Sequence, residues 1–102
     1  MTVYVDTLRI RADVPNGARV VRGRWTHLMA DTVEELDAFA FRLGLIRQWR
    51  QDKSSGVHYD VTESKHRLAV RLGAVEVESG SAAWLEVVDR ARTQYLLLSD
   101  PR

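Results

Sequence analysis

The sequence predicts a small single α/β domain: a sheet of about three strands, two packed helices and an additional C-terminal helix, in the order β-β-α-α-β-α. Three observations predict it. Thr2 to Asp6 and Trp25 to Ala30 alternate side chains at the strand period of two. Two amphipathic stretches open on a threonine with N-cap chemistry and close on Gly44 and Gly73. A third helical stripe runs from Ala82 to Leu97. Connections that carry helices favour parallel pairing for at least two of the strands.

In the first strand Val3 and Val5 point one way, Tyr4 and Asp6 the other, and Asp6 falls at its end. A long loop with the turn signal Pro15-Asn16-Gly17 follows. Arg19 to Ala30 contains the second strand, with Trp25, His27 and Met29 on one face. Thr32 and Glu35 have the spacing of a capping box, with Asp31 as the alternative cap. The helix from about Val33 to Leu43 carries Val33, Leu36, Phe39, Ala40 and Leu43 on one stripe. Residues 52–56 read as a turn, and Val57 to Val61 as extended, which puts His58 and Asp60 on one side. Thr62 caps the next helix, whose inner stripe is Leu68, Ala69 and Leu72; His66 falls on its polar, solvated side. Ala74 to Val77 is the third strand. Residues 1–77 thus form the α/β domain. Residues 78–102 form a linker and an amphipathic helix, packed on the same domain or at an interface.

The 102 residues suffice for one domain, and 45% hydrophobic with 28% charged residues is ordinary for a soluble globular chain. The net charge of +1 makes no case for nucleic acid, and the arginines between Arg9 and Arg24 are the one feature in its favour. The absence of cysteine excludes disulfides and thiolate metal sites. No apolar run reaches the ~20 residues of a membrane span, and the N-terminus lacks signal-peptide character, so a cytoplasmic protein is expected.

The polar residues near the predicted strand ends carry the chemistry. Asp6, His27, Asp31, His58 and Asp60 offer imidazole and carboxylate donors suited to Mn²⁺, Fe²⁺, Zn²⁺ or Ni²⁺, though their spacing matches no specific metal motif. The same residues serve acid–base chemistry, with His27, His58, Asp60 and Asp6 as the catalytic candidates. The competing structural account makes Asp31 and Asp60 helix caps and the histidines backbone partners. No nucleophile motif is present. Arg9, Arg47 and Lys65 are anion-binding candidates beside the helix starts. On the last helix Trp84, Leu85, Val88 and Tyr95 are candidates for contact with a partner, either a host protein or a second copy of the chain.

Several motifs in order carry a resemblance. They are Thr2 to Asp6; Trp25, His27, Leu28, Ala30 and Asp31; Glu34 to Leu36 with Phe39 and Ala40; Leu43 and Gly44; Arg47 and Trp49; His58 to Asp60 leading to Ser64 and Lys65; and Gly73 with Ala74. Over about residues 1–77 the chain resembles a family of small actinobacterial and phage proteins catalogued as the domain of unknown function numbered 4031. The resemblance implies a compact domain of phage or actinobacterial origin and no established reaction. It makes the helix after Glu78 an addition. The stretch Thr7 to Gly23 departs from the shorter form the resemblance implies, and Asp37 stands where it implies a His. If that His serves a site in relatives, this copy is one kept for binding. The expected function is therefore that of a small accessory protein that binds and modulates a host protein. The alternative is a small metal-dependent hydrolase or nucleotide-processing enzyme using the His/Asp set.

Overall fold

A computed structural model of the chain describes residues 2–7, 10–16 and 19–99, and over 10–24 the backbone alone. Five strands and three helices follow one another: β1 (Val3–Asp6), β2 (Ile10–Asn16), β3 (Arg19–Ala30), α1 (Val33–Arg42), β4 (Tyr59–Thr62), α2 (Glu63–Arg71), β5 (Val75–Val77) and α3 (Ala82–Ser99). A single 3₁₀ turn, Arg47–Trp49, lies between α1 and β4.

The expected sheet of about three strands is a mixed sheet of four rows. Trp25 of β3 pairs with Ile10 of β2 and with Thr62 of β4, and Leu28 pairs with Val5 of β1 and Tyr59 of β4. One residue cannot pair twice on one edge, so β1 and β2 lie end to end along the same edge of β3, and β4 takes the other. β5 runs parallel to β1 on its far side, and the other pairings are antiparallel. The stretch expected to be a loop after Asp6 is therefore largely β2, half of a hairpin with β3. Of its turn signal, Pro15 and Asn16 end β2, where Asn16 pairs with Arg19, and Gly17 lies outside the described residues.

Period-two alternation divides the sheet into two faces. Val3, Val5, Leu28, Ala30, Tyr59 and Val61 face α1 and α2, and build the main core with Leu36, Phe39, Ala40, Leu43 and Ala69. Met29 and Val77 face the other way and meet Trp84, Val87 and Ala91 of α3. The result is three layers, helices on both sides of one sheet.

The helix starts follow the sequence. Thr32 Oγ1 accepts the Glu35 N–H, and Thr62 Oγ1 accepts the Lys65 N–H. Gly44 (φ +84°) directly follows the C-cap of α1, in the left-handed region that favours glycine. Residues 78–81 form a capped turn, with Ser81 Oγ accepting the Trp84 N–H. The buried stripe of α3 is Trp84, Val87, Ala91 and Gln94, rotated from the expected one. Val88 and Tyr95 pack partly inward, and Leu85 is exposed. His66, expected on the solvated side of α2, is 2% exposed. It sits between Thr26 Oγ1 (2.8 Å from Nδ1) and Glu76 Oε2 (2.5 Å from Nε2), because the inner face of α2 passes through residues 66 and 69.

Leu28 is fully buried in the central strand, whereas Phe41 is 81% exposed. Leu28→Ala is expected to lower unfolding stability by about 2–5 kcal/mol, through lost transfer energy and the cavity left behind. Phe41→Ala should stay within ~0.5 kcal/mol of wild type. Urea unfolding of both variants measures the contrast, and equal losses would contradict the layered core.

Candidate metal centre

Cross-strand register assembles the site. His27 of β3 lies opposite Asp60 of β4 on one side. On its other side, the step beyond the Val5–Leu28 pair places Asp6 of β1. The row Asp60–His27–Asp6 crosses three strands on the face opposite Val5, Leu28 and Tyr59. His58 stands two residues before Asp60 and so shares its face. It lies just outside β4 and is tied to Gln51 by a two-way main-chain bridge of 2.7 and 3.1 Å.

Each imidazole is held by one nitrogen. Asp6 is 1% exposed; its Oδ1 accepts the His27 main-chain N–H at 2.9 Å and its Oδ2 lies 2.8 Å from His27 Nδ1. His58 Nδ1 lies 2.8 Å from the Gly56 carbonyl. A carboxylate and a carbonyl only accept, so both Nδ1 atoms carry a proton and donate. In the neutral rings each Nε2 is left as a lone pair. His27 Nε2 is 4.0 Å and His58 Nε2 3.5 Å from the same oxygen, Asp60 Oδ1. Asp60 Oδ2 accepts from Gln51 Nε2.

Two lone pairs and a carboxylate oxygen thus converge, all within 4.8 Å of one another. Donors bound at 2.0–2.1 Å to a tetrahedral zinc ion sit ~3.4 Å apart; the His58–Asp60 spacing of 3.5 Å matches this, while the His27–Asp60 spacing of 4.0 Å requires the His27 ring to move inward on binding. The hydrogen bonds behind the two imidazoles have the form that orients metal-ligating histidines. The donor set, two imidazoles and one carboxylate without thiolate, suits Zn²⁺, Mn²⁺, Fe²⁺ or Ni²⁺. The His27 side chain is 27% exposed, so the cluster reaches the surface.

The electrostatics describe the protonated rings, in which a proton competes with an ion for the same Nε2 lone pairs. The hydrogen bond that His27 donates to Asp6 raises the His27 pKa above its ordinary value; burial opposes this, the charges of Asp6 and Asp60 add to it, and Lys53 opposes it. Burial pushes Asp60 upward, but when the rings are protonated the hydrogen bond and charge of His58 and the charge of His27, together with the Gln51 hydrogen bond, hold it below the usual carboxylate value.

The other residues singled out in the sequence lie elsewhere. Asp31 accepts from Thr2 N–H and Tyr4 O–H and pairs with Arg90, so it neither joins the cluster nor caps α1. Arg47 lies 3.8 Å from Asp37, and Lys65 donates at 2.6 Å to the Leu43 carbonyl at the end of α1. Arg9 lies outside the described residues. Asp37 accepts from Tyr59 O–H and Arg50 Nη1 on the core side of the sheet. The position where a His was expected is thus across the sheet from the cluster, and Asp37 removes no ligand from it. Gln51 and the Gly56 carbonyl were not anticipated; a glycine two residues before His58 was the only trace of them in the sequence.

The fold and cluster define a three-layer α/β protein with a preformed 2-His-1-carboxylate set on one sheet face. The chain belongs to the family described as "Protein of unknown function (DUF4031)", whose model matches residues 3–92. The match passes beyond residue 77 into α3. No curated protein and no solved structure matches the chain.

Because the folded pKa of His27 is raised, its contribution to stability is full below the ordinary value of 6.5 and is lost as pH rises through the folded value. Urea unfolding of metal-free protein between pH 5.5 and 8 should show that decline (about neutral pH in this range is where histidines titrate). Asp6→Asn should flatten it, and an identical slope in both proteins would contradict the Asp6–His27 pairing.

Proposed function

We propose that this protein is a small divalent-metal-dependent hydrolase, with His27 Nε2, His58 Nε2 and Asp60 Oδ1 as the metal ligands. The observation that carries this reading is the convergence of those three donors, each positioned from behind by Asp6, Gly56 or Gln51. A divalent ion bound there supplies a water of lowered pKa and polarises an ester or phosphoester bond. Three protein ligands leave coordination positions for water and substrate. Asp6 holds the Nδ1 proton of His27, and the Gly56 carbonyl holds that of His58, so both neutral rings present their Nε2 lone pairs with the tautomer already set. Lys53 lies close enough to oppose protonation of His27, and its charge favours an anionic substrate.

A binding protein that modulates a host protein is the competing reading, and it rests on α3. Trp84, Val88 and Tyr95 are engaged with their own domain, which leaves Leu85 of that set facing solvent. The His/Asp convergence supports the hydrolase reading more directly.

Calorimetric titration of EDTA-treated protein with Zn²⁺, Mn²⁺ and Ni²⁺ is expected to give one bound ion per chain. Binding should be lost in His27→Ala and His58→Ala and kept in Asp31→Ala. The metal-loaded protein should hydrolyse a chromogenic ester or phosphodiester, and His58→Ala should not. Absence of binding by wild type would remove the metal centre. Binding without turnover of either substrate class would remove the hydrolase.

A further inference from the structure

His58 is the one ligand of the set that lies outside a strand, so its orientation depends on the segment that leads into β4. That segment meets α3 at Ala91. The Val57 N–H donates to the Ala91 carbonyl at 3.2 Å, in the middle of the helix. The preceding residue, Gly56, has φ +129°, and a Cβ built there would lie 2.9 Å from Ala91 Cβ and 3.3 Å from Met29 Cε. Gly56 is thus required twice, by its backbone conformation and by the close approach of the helix. Its carbonyl accepts from His58 Nδ1. Ala91, the Gly56–Val57 peptide and His58 form one chain of contacts, with Ala91 fully buried and Val57 fully buried.

We propose that α3 is part of the metal centre: Ala91 positions the Gly56–Val57 peptide, and that peptide fixes the ring orientation and tautomer of His58. Ala91 is a positioning residue, and the proposal rests on the metal-centre reading above. Linkage makes the effect reciprocal. A bound ion tightens the docking of α3, and loosening α3 weakens the ion's hold.

Zn²⁺ is the probe. Ala91→Val presses new methyl groups on Gly56, and the Zn²⁺ affinity of the folded variant should fall about 10- to 100-fold, the range for disturbed outer-shell contacts. Unchanged affinity in that variant overturns the proposal. Two measurements on metal-free wild type apply whether or not the variant folds. Long-range ¹H–¹⁵N spectra should show His58 as the Nδ1–H tautomer, and the Val57 amide should exchange with solvent as slowly as the interior amides of α3. An Nε2–H tautomer at His58, or a Val57 amide exchanging like those of an open turn, overturns it. If wild type binds no Zn²⁺ while both of those results hold, the metal reading falls and the positioning of His58 by α3 stands.

Discussion

The pairing of Asp6 with His27 constrains most of the structure. An ionised carboxylate with almost no exposure is costly by several kcal/mol unless charge and hydrogen bonds compensate it. Asp6 is compensated by two donors of a single residue, the main-chain N–H and the ring Nδ1–H of His27. That requirement pins the β1–β3 register. A slip of one residue would turn Asp6 into the apolar layer beneath α1 and bring Val5 to the site face. With β1 fixed, β5 follows it in parallel, and with β3 fixed, β4 brings Asp60 opposite His27. The polar row and the core therefore share one register: residues of one parity build the apolar layer, and their neighbours build the cluster.

The two polar histidine clusters differ in whether a ring nitrogen is left over for a ligand. His66 uses both ring nitrogens, one toward Thr26 and one toward Glu76, and it is sealed under α2. No lone pair is left for a ligand, and the residue acts as a polar tie between β3, α2 and β5. His27 and His58 each spend one nitrogen on a partner behind them and keep the other. The difference lies in how the second nitrogen is used, since residue types and burial overlap between the clusters.

Much of this was legible in the sequence, because the signals were local. The caps at Thr32 and Thr62, the stop at Gly44, and the His-x-Asp spacing at 58–60 are set by residues within a few positions of one another. Residues 10–14 alternate apolar and polar types, so β2 was written there too, but the dense arginines and Pro15 obscured it. His66 was misplaced because its polar neighbours Lys65 and Arg67 suggested a solvated face, while its partners lie 40 and 10 residues away. Asp31 failed as a ligand for a similar reason. Its position at the strand end matched the pattern, but Thr2, Tyr4 and Arg90 engage it through contacts no spacing reveals. Convergence of Asp6, His27, His58 and Asp60 was the non-local element, and it required the register of three strands.

The proposed metal centre depends on how rigidly its donors are held. His27 and Asp60 sit within the sheet, where ladder hydrogen bonds fix their backbones. His58 has one isolated bridge to Gln51 and lies beyond the ladder, so the sheet alone does not define its ring. Docking α3 on the site face supplies the missing constraint by packing against the glycine whose carbonyl holds that ring. This gives the helix a reason to cover the Met29 and Val77 end of the face and leave the His27 end open. In the proposed metal centre, complete cover would close the cluster to any substrate, and no cover would leave the third donor free to turn. The family match, which continues into α3 through residue 92, includes the contact at Ala91 within its span.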